Sequence, residues 1–328
     1  MYHLGIDVAK NKLDGCLLNP ENDQRRAKTV PNTPAGFTEL RDWRIRQKVP
    51  DLSQVHLILE ATGVYHEAAT LWFIEAGAGV SVVNPAQVKA FGQGVAVRTK
   101  TDARDSPVLA RYGALVNPPR WQPPAPEIRE LNALIARLDA VEADLRREQN
   151  RLEKTAAVPA PATVLDSLQQ HIAFLRQEQT RVQTAIHDHI ERHPRLKQDH
   201  DLLGSIPAVG EKTAQRLLAV LHGHDFTSAD QVTAFLGLVP IEGQSGSSLH
   251  RRPRLSKAGA PRIRAALYMA AVVATRHNPH IQALYQRLLA RGKAKIAALG
   301  AAMRKLVQLA FGVLKHQQPY QANWTLAP

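Results

Sequence analysis

The chain has one cysteine, Cys16, in 328 residues. That excludes an intramolecular disulfide framework and a cysteine-built zinc cluster, and it fits a reducing cytoplasm with Cys16 as a small core residue. Aromatic residues make up 5% of the chain, too few for base stacking to be a main mode of nucleic-acid binding. No N-terminal apolar segment of the secretory kind and no run of 18 apolar residues is present, so neither export nor a membrane partner is expected. The most informative shortage is of carboxylates. After Glu242 no Asp or Glu occurs in the last 86 residues, while 14 Lys and Arg remain there. A solvated face needs no such exclusion of one sign, so the C-terminal third is read as a surface for a polyanion. The formal charge of +13 is concentrated there, since residues 1–120 carry 15 basic against 12 acidic groups and residues 121–195 carry 10 against 11.

A chain of this length is expected to hold more than one core. Residues 1–118 alternate strand-like and helix-like patterns: "HLGIDVA" and "LDGCLL" as a hairpin, "VHLILEATG" and "VSVVNP" as buried strands, "TPAGFTELRDWRIRQ", "YHEAATLWFIEAG" and "TDARDSPVLARYGAL" as helices. Pro107 is expected in the first turn of the last of these. This order predicts an RNase H-like α/β domain. "VNPPRWQPPAPE", with five prolines in twelve residues, opens a linker. Across residues 119–195, Leu131, Leu134, Leu138, Val141, Leu145 and Leu152, then Leu165, Leu168, Ile172, Leu175, Val182 and Ile186, follow a 3,4 spacing. They predict a helical coiled-coil hairpin, closed on itself or open to a second subunit. Residues 196–328 read as an all-α basic domain.

Candidate chemistry lies in three places. Asp7 in "GIDVAK" and Glu60 in "LILE" interrupt apolar strands, where an unpaired carboxylate is costly. Asp102 and Asp105, three apart on a helix, share a face and repel unless a cation stands between them. Together the four form a hard-oxygen set suited to Mg²⁺ or Mn²⁺. "EGQSGSSLHRRPRLSKAG" is a Gly/Ser loop running into Arg251, Arg252, Arg254 and Lys257, which suits phosphate gripping around an exposed hydroxyl. "SIPAVGEKTA" resembles a helix-hairpin-helix turn, with Gly210 and Lys212 at a helix start open to a phosphate. Arg262, Arg264, Arg304 and Lys305 are further candidate phosphate contacts.

"GIDVAKNKLD", "EATGVY", "VVNPAQVKAF", "KTDARDS", "SIPAVGEKTA", "FLGLVP", "SGSS", "RLSKAG", "RAALYM" and "MRKLVQLAFGVLK" stand in one order along nearly the whole chain. In this the sequence resembles the DEDD-type transposases of bacterial insertion sequence 110 elements, relatives of the Piv invertase that include the RNA-guided bridge recombinases. The resemblance implies a RuvC-like N-terminal domain whose Asp–Glu–Asp–Asp quartet, here Asp7, Glu60, Asp102 and Asp105, binds a divalent metal. It also implies a nucleophilic serine in the C-terminal domain. By position that is Ser245, with Ser247 and Ser248 as rivals. It further implies donor and target DNA as substrates, a noncoding bridge RNA as partner, and a dimer or tetramer. Where the family has Ala after the last Asp, this chain has Ser106 and Pro107. Two other functions fit the residues: a Holliday-junction nuclease using the quartet alone, and a non-catalytic nucleic-acid-binding protein.

Overall fold

The computed structural model describes the chain apart from residues 50, 62, 96–101, 246–248, 258 and 324–328, and apart from the side chains of 102–104 and 242–253. The chain divides into two compact units, Met1–Pro123 and Pro124–Pro328.

The first unit is a five-stranded mixed sheet flanked by helices. Its strands are β1 (Tyr2–Val8), β2 (Lys12–Asn19), β3 (Gln24–Pro31), β4 (Val55–Glu60) and β5 (Gly79–Val83), in the order β3-β2-β1-β4-β5. β1, β2 and β3 form an antiparallel meander, and β4 and β5 join β1 in parallel. The helices are α1 (Pro34–Arg46), α2 (Glu67–Glu75), α3 (Pro85–Gly94) and α4 (Asp102–Val116). β3, which apolar patterning does not reveal, is an edge strand with Gln24, Arg25, Arg26 and Ala27 all exposed. An edge solvated in this way carries no alternation to read.

Strand alternation divides the buried side chains between the two faces of the sheet. Leu4, Ile6 and Val8 of β1, Leu13 and Leu17 of β2 and Val55, Leu57 and Leu59 of β4 build one core with Phe37, Leu40 and Phe73 of α1 and α2. The other face receives α4, through Ile58, Leu109 and Tyr112. Pro107 lies inside α4, where the expectation was its first turn. It cannot donate to the carbonyl four residues back, and α4 starts at Asp102 regardless, because packing on the sheet supports it.

At the end of the sheet where β1 begins, a buried polar network fastens residues 118–121 to β5. His56 is fully buried, and its Nε2 lies 2.7 Å from Ser81 Oγ. Ser81 Oγ lies 3.0 and 2.8 Å from the carbonyl oxygens of Pro118 and Pro119, which share its single O–H as acceptors. It therefore accepts from His56 Nε2–H, and burial favours the neutral form of the ring. Burial, then the charge of Arg120, then His3, push the His56 pKa down to about 3. A group whose folded pKa lies below its unfolded value near 6.5 contributes stability that is complete above about pH 6.5 and is lost as pH falls toward 3. The unfolding free energy of the wild type from urea titration should therefore drop between pH 6.5 and 4, by roughly a kcal/mol per pH unit. His56→Gln, which keeps a donor toward Ser81 but cannot take a proton, should have a flatter acid limb. Equal slopes would remove His56 from the acid response.

The second unit is helical with one small two-stranded sheet. α5 (Pro126–Ala156) and α6 (Ala162–Arg192) are 31-residue helices packed along each other. Val141, Leu145, Ile172 and Leu175 fill the seam between them toward their connection. The rest of α5 and α6 shares a larger core with α7 (Pro194–Gly204), α8 (Glu211–His222), α9 (Ala229–Phe235), α10 (Pro261–His277), α11 (Pro279–Ala290) and α12 (Lys295–His316). α12 is long and apolar enough to cross a membrane, but Ala302, Leu306, Val307, Ala310 and Val313 lie buried in that core. The expectation of an all-α region is corrected by a hairpin, β6 (Pro240–Ser245) and β7 (Leu249–Leu255). Gly243 and Ser245, which read as part of a loop, belong to this ribbon, with a register shift between Ile241 and Gly243.

Candidate active site

β1 and β4 run in parallel with Ile6 opposite Leu59, so the next step of the register sets Asp7 beside Glu60. Both belong to the face that α4 covers. β1 and β2 pair with Asp7 opposite Asp14, and β2 and β3 pair with Asp14 opposite Thr29. Glu60, Asp7, Asp14 and Thr29 therefore form one row across four adjacent strands, about 5 Å from one to the next.

α4 crosses this face antiparallel to β1. A Cβ built on Gly113 would come within 3.2 Å of His3 Nδ1. One built on Gly5 would lie 2.2 Å from the Ser106 carbonyl oxygen and 2.3 Å from the Ala110 nitrogen. Those are backbone atoms, so only glycine at position 5 permits so close an approach. Strand residues advance about 3.3 Å and helix residues about 1.5 Å, so the step from Gly5 to Asp7 matches about four or five residues of α4. Counted from the Ser106–Ala110 contact toward the start of the helix, that reaches the turn holding Asp102 and Asp105. Asp105 is half-buried there, and the Asp102 side chain lies outside the described residues. Among the described residues no three His, Cys, Asp or Glu side chains come close enough to hold a metal. The donor set is nevertheless one of hard oxygens, and the backbone directs all four carriers to one end of one face, which fits Mg²⁺ or Mn²⁺.

Asp14, which the sequence does not single out, is fixed in this row. Its carboxylate accepts from Thr29 Oγ1 at 2.6 Å and pairs with Lys12 Nζ at 2.8 Å. Burial opposes its charge, but the hydrogen bonds from Lys12 and Thr29 prevail and hold its pKa below the usual carboxylate value.

In the second unit, Ser245 closes β6 opposite Leu249, which begins β7. Its side chain, Ser247 and Ser248, and the side chains of Arg251 and Arg252 lie outside the described residues. Arg254 on β7 and Lys257 after it are exposed, and Lys257 takes a left-handed backbone with φ of 55°. Gly210 caps α8 without a side-chain bond. In the turn before it, Ala208 stands at φ of 78°, a conformation that usually calls for glycine.

Several of the candidate phosphate contacts have internal partners. Lys212 bonds Glu142 at 2.8 Å, Arg262 lies 3.4 Å from Asp139, and Arg304 bonds Asp230 at 2.9 Å. Arg264 donates to the Gly259 carbonyl at 2.9 Å. Burial, and then the charge of Arg287, lower the pKa of Lys305. The carboxylates of α5 thus neutralise part of what charge counting assigns to a free basic surface.

Comparison with known proteins places these elements. Residues 4–157 match the DEDD transposase family of IS110 elements, and residues 200–286 match the transposase family IS116/IS110/IS902. The chain is 34% identical to the pilin gene-inverting proteins of Moraxella lacunata and Moraxella bovis, over 97% of its own length and 97% of theirs. It is 27% identical, over 52% of its length and 42% of the relative's, to the insertion element IS110 uncharacterized 43.6 kDa protein of Streptomyces coelicolor. A search of solved structures gives T. thermophilus RuvC in complex with Holliday junction substrate, at 15% identity and a TM-score of 0.27 over 37% of this chain and 99% of that one. Matched by both family descriptions and related end to end to the Moraxella inverting proteins, the chain belongs to the IS110 family of transposases, enzymes of DNA recombination.

Proposed function

We propose that the chain cuts and rejoins DNA strands through Ser245, with Asp7, Glu60, Asp102 and Asp105 holding a divalent metal. The observation that carries this reading is the crossing of α4 over β1 at Gly5, which directs the start of α4 to the end of the face where Asp7 and Glu60 stand side by side. A divalent cation bound there supplies positive charge against the phosphodiester. The protein's own groups do the rest. Ser245 Oγ attacks the phosphorus, loses its proton to a base, and a deoxyribose oxygen leaves and is protonated. The phosphoserine ester keeps the phosphodiester's reactivity without a nucleotide cofactor. A hydroxyl of the recipient strand then attacks that phosphorus and restores the serine.

Arg251, Arg252, Arg254 and Lys257, following the β6–β7 tip, would hold the flanking phosphates. Gly210 and Lys212 would approach the backbone at the start of α8, and Arg262, Arg264, Arg304 and Lys305 would add to the basic surface. A bridge RNA pairing with donor and target DNA suits a chain rich in Arg and poor in aromatics, because the protein then reads shape and backbone more than base edges. Handling four strands calls for a dimer or tetramer. The site of action would be the bacterial cytoplasm, on the nucleoid.

The test is incubation with element-end duplexes, element RNA and Mg²⁺, with and without chelator. Joined DNA should form only with free metal. Cut ends that never join would turn the reading to a junction nuclease, and equal joining under chelator would overturn the metal site.

A further inference from the structure

The first unit holds a charged pair that the proposed chemistry leaves unused. Lys12 and Asp14 lie two apart on β2, so their side chains rise on the same face as Asp7 and Glu60. Asp14 is 16% exposed and anchored from β3 by Thr29, whereas Lys12 stays 43% exposed. A carboxylate opposite another carboxylate in an antiparallel pair is destabilising. An ordinary surface ion pair would not justify it, being worth about 0–1 kcal/mol. A withdrawn carboxylate anchoring a half-exposed lysine side chain is the form of a built cation. Lys12 opens β2, opposite the end of β1, so it stands at the same end of the face as Asp7.

We infer that Lys12 is a substrate-contacting residue. Its ammonium, held in place by Asp14, donates to a non-bridging oxygen of the scissile phosphodiester beside the quartet. Asp14 is then a positioning residue and acts through Lys12. The inference rests on the reading of the quartet as the metal-holding centre.

The experiment compares Lys12→Met, Lys12→Arg, Asp14→Asn and the Lys12→Met/Asp14→Asn double variant, with Asp105→Asn in parallel, all in the full chain. Single-turnover cleavage at saturating DNA and Mn²⁺ should fall roughly 10- to 100-fold in Lys12→Met, the scale of one hydrogen bond to a charged group. Lys12→Arg should stay within a few-fold of wild type. Asp14→Asn should slow the wild type but not Lys12→Met, a coupling that independent structural roles would not produce. Mn²⁺ affinity by calorimetry should be equal or tighter in Lys12→Met, since a neighbouring cation is gone. The salt dependence of duplex binding should lose about one phosphate contact. Wild-type cleavage by Lys12→Met beside an inactive Asp105→Asn would overturn this inference alone. A loss explained by weaker Mn²⁺ binding, or a melting temperature well below wild type in both Lys12 variants, would also overturn it. An active Asp105→Asn would remove the quartet and the inference together.

Discussion

Recombination by Asp7→Asn and by Asp105→Asn should each fall at least roughly a hundred- to a thousand-fold, the cost typical of deleting one electrostatic element of a preorganised site. Asparagine keeps the shape of the side chain, so no cavity opens and the packing of α4 on β1 is untouched. What changes is charge. Asp7 stands between Glu60 and Asp14 in the row across the sheet, and Asp105 belongs to the turn of α4 directed to the same end. A hard divalent cation loses one anionic oxygen with either substitution. In the metal-free protein, by contrast, Asp7→Asn keeps the volume of the side chain, so its melting temperature should stay close to the wild type's. The pair of measurements is therefore diagnostic: activity lost with stability kept. Recombination within about ten-fold of wild type for either variant would sink the metal-site reading. Inactivity together with a large drop in melting temperature would mark that carboxylate as structural.

The legible part of this fold is the part where burial leaves a pattern. The apolar runs of β1, β2, β4 and β5 and the helical spacing of α5 and α6 appear in the sequence because each buries one or both faces. β3 does not appear, since the side chains of its N-terminal half are exposed, and α3 is short and largely exposed. The β6–β7 ribbon also stays hidden, because "EGQSGSS" has turn chemistry and no apolar alternation. At the site, Asp7 and Glu60 are legible as carboxylates in apolar strands. Asp14 is not, because its relation to Asp7 is a property of the β1–β2 register. Glycine's role at position 5 likewise emerges only once α4 is in place over it. Charge counting alone treats Lys212, Arg216 and Arg262 as free. Their partners Asp139 and Glu142 lie on α5, some 70 or more residues away, and Arg216 bonds Asp139 at 2.6 Å.

Ser245→Ala should abolish both the covalent protein–DNA adduct and the joined product, while binding of element-end DNA stays within a few-fold of wild type. Cutting by displacement needs an oxygen to take the phosphorus, and alanine offers none, so the loss is of the reaction itself. Binding survives because phosphate contacts by cations dominate affinity for DNA and a single hydroxyl adds little. The fold should also tolerate the change. Ser245 is the last residue of β6, opposite Leu249 at the end of the ladder, and alanine keeps that backbone pairing. The measurement is a denaturing gel of radiolabelled duplex after incubation with Mg²⁺, where the wild type shows a protein-linked band resistant to boiling and removed by protease. Ser245→Cys separates a positional role from a chemical one. A thiolate is a competent nucleophile, but its bond to phosphorus differs in length and leaving ability, so a trace of adduct without efficient joining is the expected result. An adduct persisting in Ser245→Ala but lost in Ser247→Ala or Ser248→Ala would move the nucleophile to that serine. Normal recombination by all three alanine variants would leave the quartet to act by hydrolysis and remove the serine from the chemistry.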